Sequence, residues 1–164
     1  MMSTLRDTMA RPGKPDDAAA GAADYDRDFY AWTQSQAERL RSGHANAIDW
    51  ERLAEEIENL GGSEIGEIEN RLNVLILHLL KWRHQPSHRS SGWKGTILEQ
   101  RRRIAKRMIR SPSLKALPGQ ILQEEYASAR LKAAGETGLA EEAFPADCPF
   151  SVEQILDEAF YPEA

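Results

Sequence analysis

Apolar side chains return every three or four residues along most of this chain, the spacing of helices that bury one face. Phe29, Trp32, Ala37 and Leu40 mark a first helix, from a cap at Asp24 or Asp26 to about Arg41, closed by Ser42-Gly43. Asp49 caps a second, with Trp50, Leu53, Ala54, Ile57 and Leu60 along one side. Gly61-Gly62 followed by Ser63 then reads as a stop and a restart, because two interior glycines cost roughly 2 kcal/mol relative to alanine. The apolar phase nonetheless runs on through positions 57, 61, 65, 68, 72, 75 and 79, so the predicted break rests on local propensity against packing.

A third helix is predicted from about Ser63 to Trp82, with Ile65, Ile68, Leu72, Leu75, Ile76 and Leu79 as its main stripe. Val74 and Leu77 lie on its opposite side, and a helix apolar on two sides is either central in a bundle or faces another subunit. Pro86 prevents easy continuation, and the loop HQPSHRSSG leads to a fourth helix from Ser91 or Gly92 to Arg110. Ser111-Pro112 reads as a cap with proline in the first helical position, and Pro118 as a kink or a new start. A fifth helix then reaches about Ala134, with Gly135 and Gly138 ending it, and Ser151-Val152-Glu153-Gln154 is a capping-box signature for a short last helix. The expected fold is all-α, a bundle of five to six helices with mostly antiparallel neighbours, because the connections are short. One helical domain is expected over residues 24–164, behind a disordered tail over 1–23 that has no apolar period. The expected core is Phe29, Trp32, Leu40, Leu53, Ile57, Ile68, Leu72, Leu75, Leu79, Ile97, Ile104 and Met108.

Charge changes this picture more than composition does. The net charge of −5 conceals a polarised chain: the segment from Lys81 to Lys115 holds eleven Lys and Arg against one acid, Glu99. The segment from Asp49 to Glu69 is the acidic counterpart, with Asp49, Glu51, Glu55, Glu56, Glu58, Glu64, Glu67 and Glu69 against Arg52. Pairing between these segments, within one chain or between subunits, is the plain reading. An acidic protein partner and nucleic acid are the alternatives, and a sequence pI near 5.4 works against the last. A single cysteine, Cys148, excludes an internal disulfide and a Cys-rich metal site, so a cytoplasmic protein is expected. The longest apolar run, Leu72 to Leu80, is interrupted by Asn73 and His78 and is too short for a membrane span.

On a helical wheel Arg101 falls inside the apolar arc of the fourth helix, where an unpaired guanidinium is very costly. Glu69 sits in the apolar arc of the third helix, while Glu56 and Glu58 flank that of the second. A buried or half-buried ion pair between Arg101 and one of these acids is therefore expected, either fixing helix register or holding an anionic ligand. A second constellation joins cations and aromatic rings: Arg83, His84, Arg89, Trp93, Lys94, Arg102, Arg103 and Lys106 are candidates for binding an anion or a partner. His78, His84 and His88 lack helical metal-ligand spacing, no phosphate-cradling glycine loop exists, and Cys148 has no positive neighbour to activate it. No metal, cofactor or catalytic residue is assigned.

The stretches YDRDFYAWTQSQAERLRSG, LAEEIENLG, RLNVLILHLLKWRHQP and RSSGWKGTILEQRRRIAKRMIRSPSL, in this order from about Tyr25 to Tyr161, resemble a bacterial family catalogued as Domain of Unknown Function 29. The resemblance implies an all-helical domain in a bacterial cytoplasm. It brings no activity, and Trp32, Glu55, Glu56, Glu58, His78, Lys81, Trp82, Trp93 and Arg101-Arg102-Arg103 carry over as signature positions only. The function expected is a non-enzymatic module that binds another protein or itself, the alternative being a nucleic-acid or phosphate binder using residues 81–115.

Overall fold

The computed structural model describes residues 25–163, so the predicted tail lies outside the described residues. The protein is all-α, and no strand occurs among the described residues. The helices are α1 (Phe29–Arg41), α2 (Trp50–His84), α3 (Ser91–Arg110), α4 (Leu117–Thr137) and α5 (Val152–Leu156), joined by single 3₁₀ turns. None of them is long and apolar enough to cross a membrane. The span predicted as one domain divides at Leu60 and Gly61 into two compact units, and α2 contributes residues to both.

The unit ending at Leu60 is organised around Trp32, which is 2% exposed. Asp28 caps α1 by accepting the Ala31 N–H at 2.9 Å. The Tyr25 ring meets Trp32 edge-on at 4.9 Å, and the Arg52 guanidinium lies 4.3 Å from the Tyr25 ring centre. Buried Gln36 accepts the Asp49 N–H at 3.0 Å, which fixes the start of α2. Too few elements surround Trp32 to make a second layer. Phe29, Leu40 and Ile57, expected in the core, are therefore 50%, 46% and 61% exposed, and Leu53 is half-buried.

The unit beginning at Gly61 holds the larger core. Leu72, Leu75, Ile76, Leu77, Leu79 and Leu80 of α2 meet Ile97 and Ile104 of α3, Tyr126, Ala129 and Ala133 of α4, and Ile155 of α5, with Phe144 and Phe150 from the connecting segment. Met108 packs against this cluster half-buried. Side-chain contacts give the helix directions. Glu64, Arg71 and Lys81 of α2 meet Arg107, Gln100 and Trp93 of α3, so these two run antiparallel. Asn73, Lys81 and Gln85 meet Glu125, Glu136 and Thr137, so α4 runs in the direction of α2. Asn73, which interrupts the apolar run, serves this second contact: it donates to the Glu125 carboxylate at 2.9 Å and accepts from Lys132 at 2.6 Å. Leu77 is 6% exposed and Val74 half-buried, so the second apolar side of α2 is largely covered within one chain.

The predicted break at Gly61-Gly62 is absent. α2 continues through both glycines, and the only positive-φ glycines among the described residues are Gly43 and Gly138. Neighbouring turns already share one apolar phase, and each buried Leu or Ile contributes about 1.5–3 kcal/mol, enough to offset two glycines. Gly135 likewise lies inside α4, which ends instead at left-handed Gly138. The capping box at Ser151 and Gln154 is formed as predicted.

A Cβ at either Gly61 or Gly62 would meet nothing within 4 Å. The double substitution Gly61→Ala and Gly62→Ala is expected to raise unfolding stability by about 1–2 kcal/mol, read by urea denaturation. A loss of stability, or of far-ultraviolet helical signal, would show that these positions need the conformational freedom of glycine.

Candidate functional site

Arg101 is buried as expected, at 2% exposure, but no carboxylate meets it. Its Nε donates to the Ile155 carbonyl at 2.7 Å, and its two terminal nitrogens donate to the carbonyls of Phe160 at 2.7 Å and Glu158 at 3.5 Å. Its cationic carbon lies 5.4 Å from the Tyr161 ring centre. Of the acids proposed for it, Glu69 is half-buried, Glu58 is exposed, and Glu56 accepts the Tyr25 hydroxyl. The expected ion pair is thus replaced by backbone acceptors from the end of α5 and the segment after it. Burial still holds the Arg101 guanidinium below its ordinary value, against the pull of Tyr161, Asp157 and Glu158.

The cation and aromatic constellation is assembled, but largely against itself. Trp82 packs on Tyr161 at 4.9 Å, Arg89 lies over Trp82 at 5.2 Å and donates to its carbonyl at 2.8 Å, and Lys94 lies 5.7 Å from the Tyr161 ring. Lys81 is 4.7 Å from the Trp93 ring and pairs with Glu136 at 2.6 Å. Arg83 lies over Phe150, and the His84 ring packs on Phe144 at 4.6 Å with its Nε2 buried and without a hydrogen-bond partner. Indole faces occupied by cations are poor platforms for nucleobases, which weakens the nucleic-acid alternative.

Most α3 cations meet carboxylates of their own unit. Arg102 forks onto Glu158 at 3.1 and 3.2 Å, Arg103 pairs with Glu99 at 2.8 Å, and Arg107 pairs with Glu64. Arg103, Lys106, Arg107 and Arg110 recur at i, i+3, i+4 and i+7, so they share one side of α3. With Arg71 of α2 they line a surface cavity of about 200 Å³. Arg71, Arg107 and Arg110 were not among the candidates named from the sequence. The α3 spacing was a legible signal for Arg107 and Arg110, whereas Arg71 reaches the cavity only because α2 and α3 pack antiparallel.

The other surface of note lies in the first unit. Phe29, Tyr30, Trp50 and Ile57 are 50%, 73%, 57% and 61% exposed. Trp50 and Ile57, seven residues apart, share one side of α2, among the exposed acids Glu51, Glu55 and Glu58. These acids form no ion pair among the described residues. The same residues contain no cluster of three or more side chains able to hold a metal.

A family model, Domain of unknown function DUF29, matches residues 25–161, and the chain belongs to that family. No curated protein and no solved structure matches the chain.

Replacing Arg101 with methionine is expected to cost about 3 kcal/mol in urea unfolding, because buried carbonyls lose a charged donor. Proteolysis beyond Leu156 should accelerate in parallel; unchanged stability and cleavage would refute the anchoring role. Burial foremost, then Arg83, lowers the His84 pKa, and burial also lowers that of His78. The unfolded chain therefore takes up imidazole protons more readily than the folded one, so this contribution is complete above about pH 6.5 and is lost as pH falls below it. Between pH 7 and pH 5 the unfolding midpoint should fall less steeply for His84→Gln than for the native chain; equal slopes would refute it.

Proposed function

We propose that the chain is a non-enzymatic interaction module whose partner is a second copy of itself, joined head to tail. The observation that carries this reading is the pair of unlike exposed surfaces on one chain. The first has Phe29, Tyr30, Trp50 and Ile57 open to water within a segment, residues 25–60, that holds eight acids and four Lys or Arg. The second has Ile109 on α3, 77% exposed, among the exposed cations Arg102, Lys106 and Arg110.

Charge selects the arrangement. Two acidic surfaces placed face to face repel, whereas acidic against cationic attracts and sets register. Unlike surfaces make a heterologous contact, which leaves one of each free and lets the assembly grow or close as a ring. The covered Leu77 removes one ground for self-association, the two-sided apolar character of α2, and leaves the exposed residues as its support. The single free thiol of Cys148 supports a reducing compartment, and we read the protein as cytoplasmic.

Ile57 and Ile109 are both exposed, so a charge at either should leave folding intact. Ile57→Glu and Ile109→Glu are each expected to abolish the rise in mass with concentration seen by light scattering for the native chain. An equimolar mixture should recover a dimer and nothing larger, because each variant keeps the surface the other has lost. A native chain that stays monomeric at all concentrations, or a mixture that stays monomeric, would overturn the proposal.

A further inference from the structure

We infer that the cavity lined by Arg71, Arg103, Lys106, Arg107 and Arg110 is a binding site for a small phosphate-bearing anion. Its cations come from two helices fixed to each other by the packing of Leu72, Leu75 and Leu79 of α2 with Ile97 and Ile104 of α3. The site is therefore held by a rigid scaffold and not by a loop.

Its charge is only partly balanced. Glu64 pairs with Arg107 and stands 3.7 Å from Arg110, Glu67 pairs with Arg71 and stands 3.9 Å from Arg107, and Glu99 pairs with Arg103. Three carboxylates thus face five cations, and Lys106 forms no ion pair among the described residues. Like charges three and four residues apart on a helix repel, and Glu64, Glu67 and Glu99 offset that repulsion along Arg103, Lys106, Arg107 and Arg110 only in part, so a further anion relieves it. The Arg110 side chain is 74% exposed and free to turn onto such an anion.

The surplus of two positive charges matches a phosphate group, which carries about −1.5 to −2 at neutral pH. Guanidinium forks present paired N–H donors to its oxygens, an advantage that a single carboxylate uses less fully. Size narrows the ligand further. A cavity of about 200 Å³ is smaller than the roughly 300–1,000 Å³ of pockets that enclose larger organic ligands. It accommodates a phosphate or diphosphate group and leaves the remainder of any larger molecule outside. The cavity shares Lys106 and Arg110 with the cationic surroundings of Ile109 but not Ile109 itself, and calorimetry for the anion and light scattering for self-association test the two readings separately.

The test is calorimetric titration of the full chain with inorganic phosphate, with pyrophosphate and with glycerol phosphate as a monoester, chloride being the control. Saturable one-to-one binding of at least one phosphate compound is expected, weakening as salt is added. The ligand that binds most tightly distinguishes free phosphate, diphosphate and monoester as the source. The double variant Arg103→Gln and Lys106→Gln should lose at least tenfold in affinity with an unchanged melting temperature. Arg102→Gln, whose side chain forks onto Glu158 outside the cavity wall, should bind as the native chain does. Absence of saturable binding, an equal loss in Arg102→Gln, or tight binding of a single-stranded oligonucleotide that pyrophosphate does not displace would overturn the inference.

Discussion

A guanidinium removed from water must be given acceptors, and in this protein the acceptors are backbone carbonyls of α5 and the turn behind it. Arg101 takes those of Ile155, Glu158 and Phe160, so one side chain of α3 holds the end of α5 and the turn behind it. Much of the surrounding packing follows from that capture. Tyr161 is brought against Trp82, and Phe160 against Phe150 at 5.7 Å. Glu158 is brought to Arg102, which holds its carboxyl below the usual carboxylate range. Carbonyl acceptors satisfy the donors without adding a second buried charge, so the desolvation cost of an ion pair is not doubled.

Periodicity was enough to place α1, α3 and α5 and the larger part of α2, because each of them buries one side or carries a recognisable cap. It did not identify Arg101's partners, since every residue has a carbonyl and only the returning chain determines which ones arrive. The same limit explains Phe29, Leu40 and Ile57. A stripe identifies the side of a helix able to be covered; whether a neighbour covers it depends on elements elsewhere. Gly61-Gly62 shows the converse case, in which a strong local signal lost to the packing of the turns beyond it.

The polarised charge was the clearest global feature of the sequence, and the structure absorbs part of it. Glu64 and Glu67 reach Arg71, Arg107 and Arg110, and Glu136 and Glu158 reach Lys81 and Arg102. Exposed pairs of this kind contribute about 0–1 kcal/mol, so they set helix register and surface potential more than they set stability. Only the last part of the acidic segment, Glu64 and Glu67, is used against α3. Glu51, Glu55 and Glu58 lie exposed beside Trp50 and Ile57, with no ion pair among the described residues.

That remainder bears on function because charge and apolar exposure coincide. Isolated exposed apolar residues are ordinary on any protein surface and need no explanation. Here Trp50 and Ile57 share a helix side with acids that form no ion pair among the described residues, while Ile109 lies among cations of α3. Neither surface is needed to complete the core around Leu75 and Ile104, which is closed without them. A chain selected for folding alone would gain solubility by replacing Ile57 and Ile109 with polar residues at little cost in stability. Their exposure in oppositely charged settings is the feature on which the proposed contact between copies rests.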